Sequence, residues 1–67
     1  MIDYSQIIRA ADEILFQIDI GHYTSEAAEL CLHGMIVMLA YDSSDDAARG
    51  TAYLQKQKRL LIEGRNL

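Results

Sequence analysis

Apolar side chains recur along this chain at intervals of three and four residues, which is the period of an amphipathic α-helix. The first such segment begins near Asp3, whose spacing from Gln6 is that of a capping box. Gly21 is a natural stop, since glycine adopts a left-handed backbone without strain. We therefore predict a first helix over residues 3–20. Its core-facing stripe comprises Tyr4, Ile7, Ile8, Ala11, Ile14, Leu15 and Ile18.

The middle of the chain is apolar on almost every side. In residues 30–41 the only charged or imidazole-bearing side chain is His33. The run is too long for an ordinary strand and shorter than the ~18 apolar residues of a membrane-spanning helix. With Thr24 or Ser25 as its N-cap, it predicts a second helix over residues 24–41. Two short neighbouring helices cannot cover such a surface, so we expect a second molecule to cover part of it.

A polar break follows in residues 42–46, whose sequence is Asp-Ser-Ser-Asp-Asp. Ser43 or Ser44 can cap a third helix, and acidic side chains in its first turn favour the positive end of the helix dipole. We predict this helix over residues 44–63, because Gly64 is a suitable end. No proline or glycine lies within the break, so one continuous helix is the alternative to the two separate helices that we expect.

The predicted fold is all-α: a small helical hairpin or three-helix unit that forms a single domain over residues 1–67. A chain of 67 residues buries only about 60% of the surface that its unfolded form exposes. Such chains commonly depend on disulfides, a metal or oligomerisation. A single cysteine, Cys31, excludes an internal disulfide, and no cysteine or histidine pair has zinc-finger spacing. We therefore expect the core to be completed by dimerisation into a helical bundle.

Charge is divided unevenly along the chain. Residues 1–46 hold one basic and nine acidic side chains, residues 47–67 hold five basic and one acidic, and the net charge is −4. The simplest interpretation is charge matching between antiparallel helices of this chain or of a dimer; an acidic partner is the alternative. The sequence shows neither a basic, apolar leader nor a membrane-length run, and one free thiol suits a reducing compartment. We therefore expect a cytoplasmic protein that does not enter a membrane.

The candidate chemical groups are few, and each has a structural interpretation. Glu29 and His33 lie four residues apart, which fits an ordinary contact along a helix better than a metal site. Cys31 falls on the apolar side of the second helix, so we expect a buried structural thiol rather than a nucleophile. The scattered glycines form no phosphate-binding loop, and the acidic break lacks calcium-loop spacing. We expect no enzymatic activity, no cofactor, no metal and no small-molecule substrate.

The second helix supplies most of the candidate interface. Gly34 in mid-helix costs up to ~1 kcal/mol relative to alanine, so we expect a packing reason such as the close approach of another helix. Phe16 lies outside the stripe of the first helix and is expected either under the third helix or in an interface. Replacing Met38 by aspartate should abolish association and folding, because it would bury an unpaired charge. The predicted interface residues are Phe16, Leu30, Gly34, Met35, Met38 and Tyr41. For Met35 and Met38 the alternative is that they fill gaps in the core.

These features favour a non-enzymatic protein-interaction module, such as a small regulator, inhibitor or co-chaperone, that binds itself as a homodimer or binds another protein. The alternative is a dimeric nucleic-acid-binding regulator. The third helix gathers Arg49, Lys56 and Arg59 on one side, where they could contact nucleic acid or an acidic partner. The net charge of −4 argues against nucleic acid as the partner.

Part of the chain resembles a tetratricopeptide repeat. Gly21-His22-Tyr23, the alanines at positions 27 and 28, and Leu39-Ala40-Tyr41-Asp42 are similar to the turn and second helix of that motif. One extra residue separates Tyr23 from the alanine position, and Ser43 stands where the repeat favours proline. A stable stack needs about three repeats and this sequence holds one, so the resemblance assigns no family.

Overall fold

The computed structural model describes residues 2–66 and folds them into three α-helices. α1 spans Tyr4–Asp19, α2 spans Ser25–Leu39 and α3 spans Asp45–Arg65. No strand occurs among residues 2–66, and the all-α prediction is confirmed. The helices end within two residues of the expected limits, and α2 and α3 are separate rather than continuous.

Side-chain caps determine where each helix begins. At the start of α1, Asp3 Oδ1 accepts a hydrogen bond from the backbone N–H of Gln6 at 2.9 Å, and the Gln6 side chain accepts one from the N–H of Asp3. Thr24 and Ser44 accept equivalent bonds at the starts of α2 and α3, each at 3.1 Å. Each cap satisfies a backbone donor that has no partner within its helix, so the helices start at these residues.

Two turns reverse the chain. After α1, Gly21 has a φ of +80°, a left-handed conformation that suits glycine, and its N–H donates to Ile18 O at 3.0 Å. After α2, Asp42 Oδ1 accepts a hydrogen bond from the N–H of Ser44 at 2.8 Å. That backbone donor stabilises the carboxylate and lowers the pKa of Asp42. The Asp42 turn explains how α2 and α3 separate without a glycine or proline.

α1 and α3 run parallel, and α2 runs antiparallel to both. The N–H of Tyr4, in the first turn of α1, donates to Asp46 Oδ2 in the first turn of α3 at 3.3 Å. Further along both helices, Tyr53 OH donates to Asp12 Oδ1 at 2.8 Å. In the last turn of α3, Arg65 forms ion pairs with two glutamates near the start of α2. These polar contacts show the direction of each helix relative to the others.

The core is small and lies where the three helices meet. Leu32 of α2 and Leu54 of α3 are its largest fully buried side chains. The other buried apolar residues are Ile7, Ala11, Ala28, Leu39 and Ala47. Full burial of one leucine contributes about 1.5–3 kcal/mol. Because three of these buried residues are alanines, the core leaves a narrow margin of stability.

Candidate protein interface

α2 carries two apolar stripes, and the rest of the described chain covers one of them. Ala28, Leu32 and Leu39 are buried, and Met35 is partly buried against the core. A second set of apolar residues lies on the other side of the helix, open to solvent. We call this set the α2 outer face: Leu30, Gly34, Val37, Met38 and Tyr41.

The spacing of the residues explains the two stripes. Residues 28, 32, 35 and 39 recur at intervals of four, three and four, and residues 30, 34, 37 and 41 repeat the same intervals two positions later. A step of two residues turns an α-helix by about 200°, so the stripes lie on nearly opposite sides. The core forms on the first stripe and leaves the second to solvent.

The side chains of the α2 outer face are strongly exposed. Leu30 is 70% exposed, Met38 is 72% exposed, and Tyr41, which follows the last turn of α2, is 90% exposed. A Cβ built on Gly34 has no atom of a neighbouring element within 4 Å. A single exposed leucine is ordinary in a soluble protein, whereas several large apolar side chains on one helix face are typical of an interaction surface.

An apolar groove between α1 and α2 adjoins the α2 outer face. Its volume is about 230 Å³. The groove is lined by Ile2, Gln6, Ile7, Ala10, Met35, Met38 and Leu39. Met38 belongs to both features, so the groove and the outer face form one continuous apolar surface.

Four of the six predicted interface residues lie together on the α2 outer face: Leu30, Gly34, Met38 and Tyr41. Met35 belongs to the buried stripe instead, and its exposed part lines the groove. Val37 was not among the predicted residues, although it is 45% exposed on this face. Its place in the repeat of residues 30, 34, 37 and 41 is the signal that could have indicated it.

Phe16 stands apart from the α2 outer face. The expectation that it packs under α3 is wrong, because its side chain is 52% exposed. Phe16 lies one helical turn after Asp12, whose carboxylate meets α3 at Tyr53. Since residues four apart share a helix face, Phe16 lies on the same side of α1 as Asp12. That side is closer to α3 than to the groove. A contact between Phe16 and a partner stays a prediction.

One expectation about α2 is also corrected. Cys31 is exposed rather than buried, because it lies at the border between the two stripes. Gly34 meets no other helix within residues 2–66, and the close approach of a partner helix at this glycine stays a prediction. Both residues are accessible from the same side as the α2 outer face.

Glu29 and His33 each contact α3 rather than each other. Glu29 forms an ion pair with Arg65, and His33 Nδ1 lies 3.2 Å from Lys58 Nζ. The hydrogen bond to Glu29 raises the pKa of Arg65, and Glu26, at 3.4 Å, adds to the effect. The predicted contact between Glu29 and His33 is therefore replaced by contacts between helices. Residues 2–66 hold no group of three or more His, Cys, Asp or Glu side chains placed to bind a metal ion.

The basic side chains of α3 divide into two groups. Lys58 and Arg65 contact α2, and the ion pairs of Arg65 with two glutamates match part of the charge asymmetry between antiparallel helices of the chain itself. Arg49, Lys56 and Arg59 are exposed on a different side of α3. The guanidinium of Arg49 also stacks over a tyrosine ring of α1, with its carbon 4.1 Å from the ring centre. A contact of this basic side with nucleic acid or an acidic partner stays a prediction.

Comparison with known proteins gives no relative for this chain. No protein-family model matches it, and no curated protein or solved structure matches it significantly. The resemblance to a tetratricopeptide repeat therefore has no support from a family model. Across residues 2–66, no helix combines the length and the apolar character that crossing a bilayer requires.

Proposed function

We propose that this chain is a non-enzymatic protein-interaction module whose α2 outer face binds a polypeptide. It acts as a small regulator, inhibitor or co-chaperone by occupying a surface of its partner. One observation carries the proposal: Leu30, Met38 and Tyr41 are exposed together on a helix whose opposite side builds the core. A helix with two apolar sides is fully shielded from water only when something packs on each side.

The size of the surface supports binding. Judged from the usual areas of such side chains, the α2 outer face leaves on the order of 500 Å² of apolar surface open, which is within the range of the largest patches on single soluble proteins. Removing this surface from water is favourable, and the gain must exceed the cost of immobilising two molecules.

The shape of the surface favours a helical partner. The α2 outer face is a row that follows the helix axis from Leu30 to Tyr41, and Gly34 leaves an open position within it. A partner helix can lie along this row and approach the α2 backbone closely at Gly34. Such a partner is recognised through apolar side chains spaced three, four and seven residues apart.

A photo-reactive amino acid at Val37 tests the proposal in cells that produce the protein. Ala52, on the exposed basic side of α3 that the alternative function would use, is the comparison position. We expect crosslinked polypeptide, either a second copy of the chain or another protein, from position 37 and none from position 52. No polypeptide adduct at position 37, or equal adducts at both positions, would overturn the proposal.

The Met38→Asp variant sharpens the test, and the structure changes what we expect of it. From the sequence, this change was expected to abolish folding as well as association. Met38 is 72% exposed, so an aspartate at this position stays hydrated in the isolated chain and folding should persist. In the complex the same charge would be buried without a partner, and crosslinking from position 37 should be lost. Circular dichroism of the variant shows whether its helices remain.

Nucleic acid binding through α3 is the alternative and has less support. The exposed basic side consists of Arg49, Lys56 and Arg59, on a chain with a net charge of −4. Retention on nucleic acid that weakens steeply with salt, and that disappears when these three charges are neutralised, would favour this alternative. If the chain is not retained on nucleic acid even at low ionic strength, the alternative fails and the protein-binding proposal is unaffected.

A further inference from the structure

We infer that the polypeptide covering the α2 outer face is a second copy of this chain, packed antiparallel about a two-fold axis near Gly34. This inference rests on the proposed function and identifies its partner. In a symmetric dimer the same patch of both copies must be complementary to itself, which most surfaces are not. The α2 outer face meets this condition.

The large exposed residues of the face have apolar or small counterparts at equal distances on the other side of Gly34, and Val37 is paired in this way with Cys31. Leu30 and Met38 lie four residues before and after it, and Ala27 and Tyr41 lie seven residues before and after it. In an antiparallel pair centred on Gly34, a residue that precedes Gly34 in one copy faces the residue that follows Gly34 by the same number of positions in the other copy. Leu30 then meets Met38 of the second copy, and Ala27 meets Tyr41 of the second copy.

The sizes of these side chains match in the antiparallel arrangement. Tyr41, which is 90% exposed, is placed against the small side chain of Ala27, and the flexible side chain of Met38 packs against the branched side chain of Leu30. At the centre, Gly34 meets Gly34 of the second copy and the backbones can approach closely. A parallel pair would instead set Tyr41 against Tyr41 and Ala27 against Ala27, crowding one end and leaving a gap at the other.

The area is sufficient for a dimer. Two α2 outer faces together bury on the order of 1,000 Å², which is the minimum for a biological interface and is typical of a weak one. The core of one copy buries only one of the two apolar stripes of α2. The dimer would also cover the second stripe. None of the five residues of the face is charged, so no ion must be dehydrated at the centre of the contact.

Disulfide trapping tests both the partner and its direction. Cys31 is the only cysteine, so Cys31→Ser provides a background without thiols. In that background we expect Gly34→Cys to form a covalent dimer under mild oxidation, because the two-fold axis brings position 34 to its own copy. The new side chain fits within each copy, since nothing lies within 4 Å of its Cβ. Between copies it loosens the contact at Gly34, but a disulfide, once formed, holds the two chains together. Ala52→Cys on α3 is the control and should remain monomeric.

A mixture of two variants determines the direction. In the same background, Ala27→Cys and Tyr41→Cys chains should crosslink to each other at least tenfold more than either chain crosslinks to itself. Stronger linking of each chain to itself would overturn the antiparallel arrangement.

The outcomes separate this inference from the proposed function. The dimer would be overturned if the native chain sediments as a monomer at about millimolar concentration and the Gly34→Cys variant forms no covalent dimer. If the photo-reactive Val37 position then captures a different protein, the interaction module stands with another partner. If that position captures nothing, both proposals fail.

Discussion

Gly50 of α3 packs directly against the side chain of Ile7 in α1. A Cβ built on Gly50 would stand 2.9 Å from Ile7 Cγ2 and 3.3 Å from Ile7 Cβ, and closer still to Cδ1. Ile7 is itself only 4% exposed, so its side chain cannot move into solvent to make room. The two parallel helices therefore approach each other at a point where glycine alone fits without a shift.

We expect Gly50→Ala to lower the free energy of unfolding by about 1 kcal/mol. Overpacking a core costs about 1–3 kcal/mol, and the better helix propensity of alanine offsets up to ~1 kcal/mol of that cost. Urea denaturation of the purified chain measures the difference. Ile7→Val removes Cδ1, the atom nearest the added methyl group, so the loss caused by Gly50→Ala should be smaller in that background. A loss of the same size in both backgrounds would contradict the contact.

Gly34→Ala is the matched change on the exposed side of α2. No atom of a neighbouring element lies within 4 Å of the added Cβ, so alanine should stabilise the isolated chain by up to ~1 kcal/mol through helix propensity. The same methyl group would separate two helices that meet at Gly34, and association should weaken. Urea denaturation of a dilute sample and sedimentation of a concentrated one measure the two effects. Stabilisation without weaker association would remove Gly34 from the interface.

Gly34 and Gly50 show that local sequence predicts helix ends but not close contacts between helices. Both stand in mid-helix, and the packing reason was expected at Gly34, whereas the close contact inside the chain is at Gly50. Helix starts and stops were predictable because their causes are local, as with the capping box of Asp3 and Gln6 and the turn at Gly21. A close approach between helices depends on residues distant in sequence, here Ile7, which no local pattern identifies.

Which side of α2 is buried is also difficult to predict, because it too depends on contacts with distant parts of the sequence. Its two stripes are both apolar and differ by two positions, so the helical period alone does not say which one faces the core. We expect Cys31 to be buried, and the structure exposes it. Both a core and an interface position are open for Met35, and the structure packs it partly against the core. Which stripe is buried depends on how α2 packs against α1 and α3, and that packing is not evident from the sequence of α2 alone.

Asp42 should make the turn between α2 and α3 sensitive to acid. The backbone N–H of Ser44 lowers the pKa of Asp42 below its ordinary value of 3.8. A lowered carboxyl pKa contributes stability that is present above the unfolded value and is lost as the pH falls through the folded value. Between about pH 5 and about pH 2, the urea midpoint should therefore fall less for Asp42→Asn than for the native chain. Identical pH profiles of the two chains would contradict this role of the Asp42 carboxylate.

The same substitution, leucine to alanine, at positions 30 and 32 distinguishes the role of α2 in association from its role in the core. Leu32 is fully buried, so Leu32→Ala should cost about 2–5 kcal/mol, a large share of the stability of so small a chain. Leu30 is 70% exposed, so Leu30→Ala should change the unfolding free energy of a dilute sample by less than about 0.5 kcal/mol. Its effect should fall on association instead, with a dissociation constant raised about tenfold, as measured by sedimentation. Unfolding of dilute Leu30→Ala would show that the isolated chain buries this side chain, and unchanged association would exclude Leu30 from the interface.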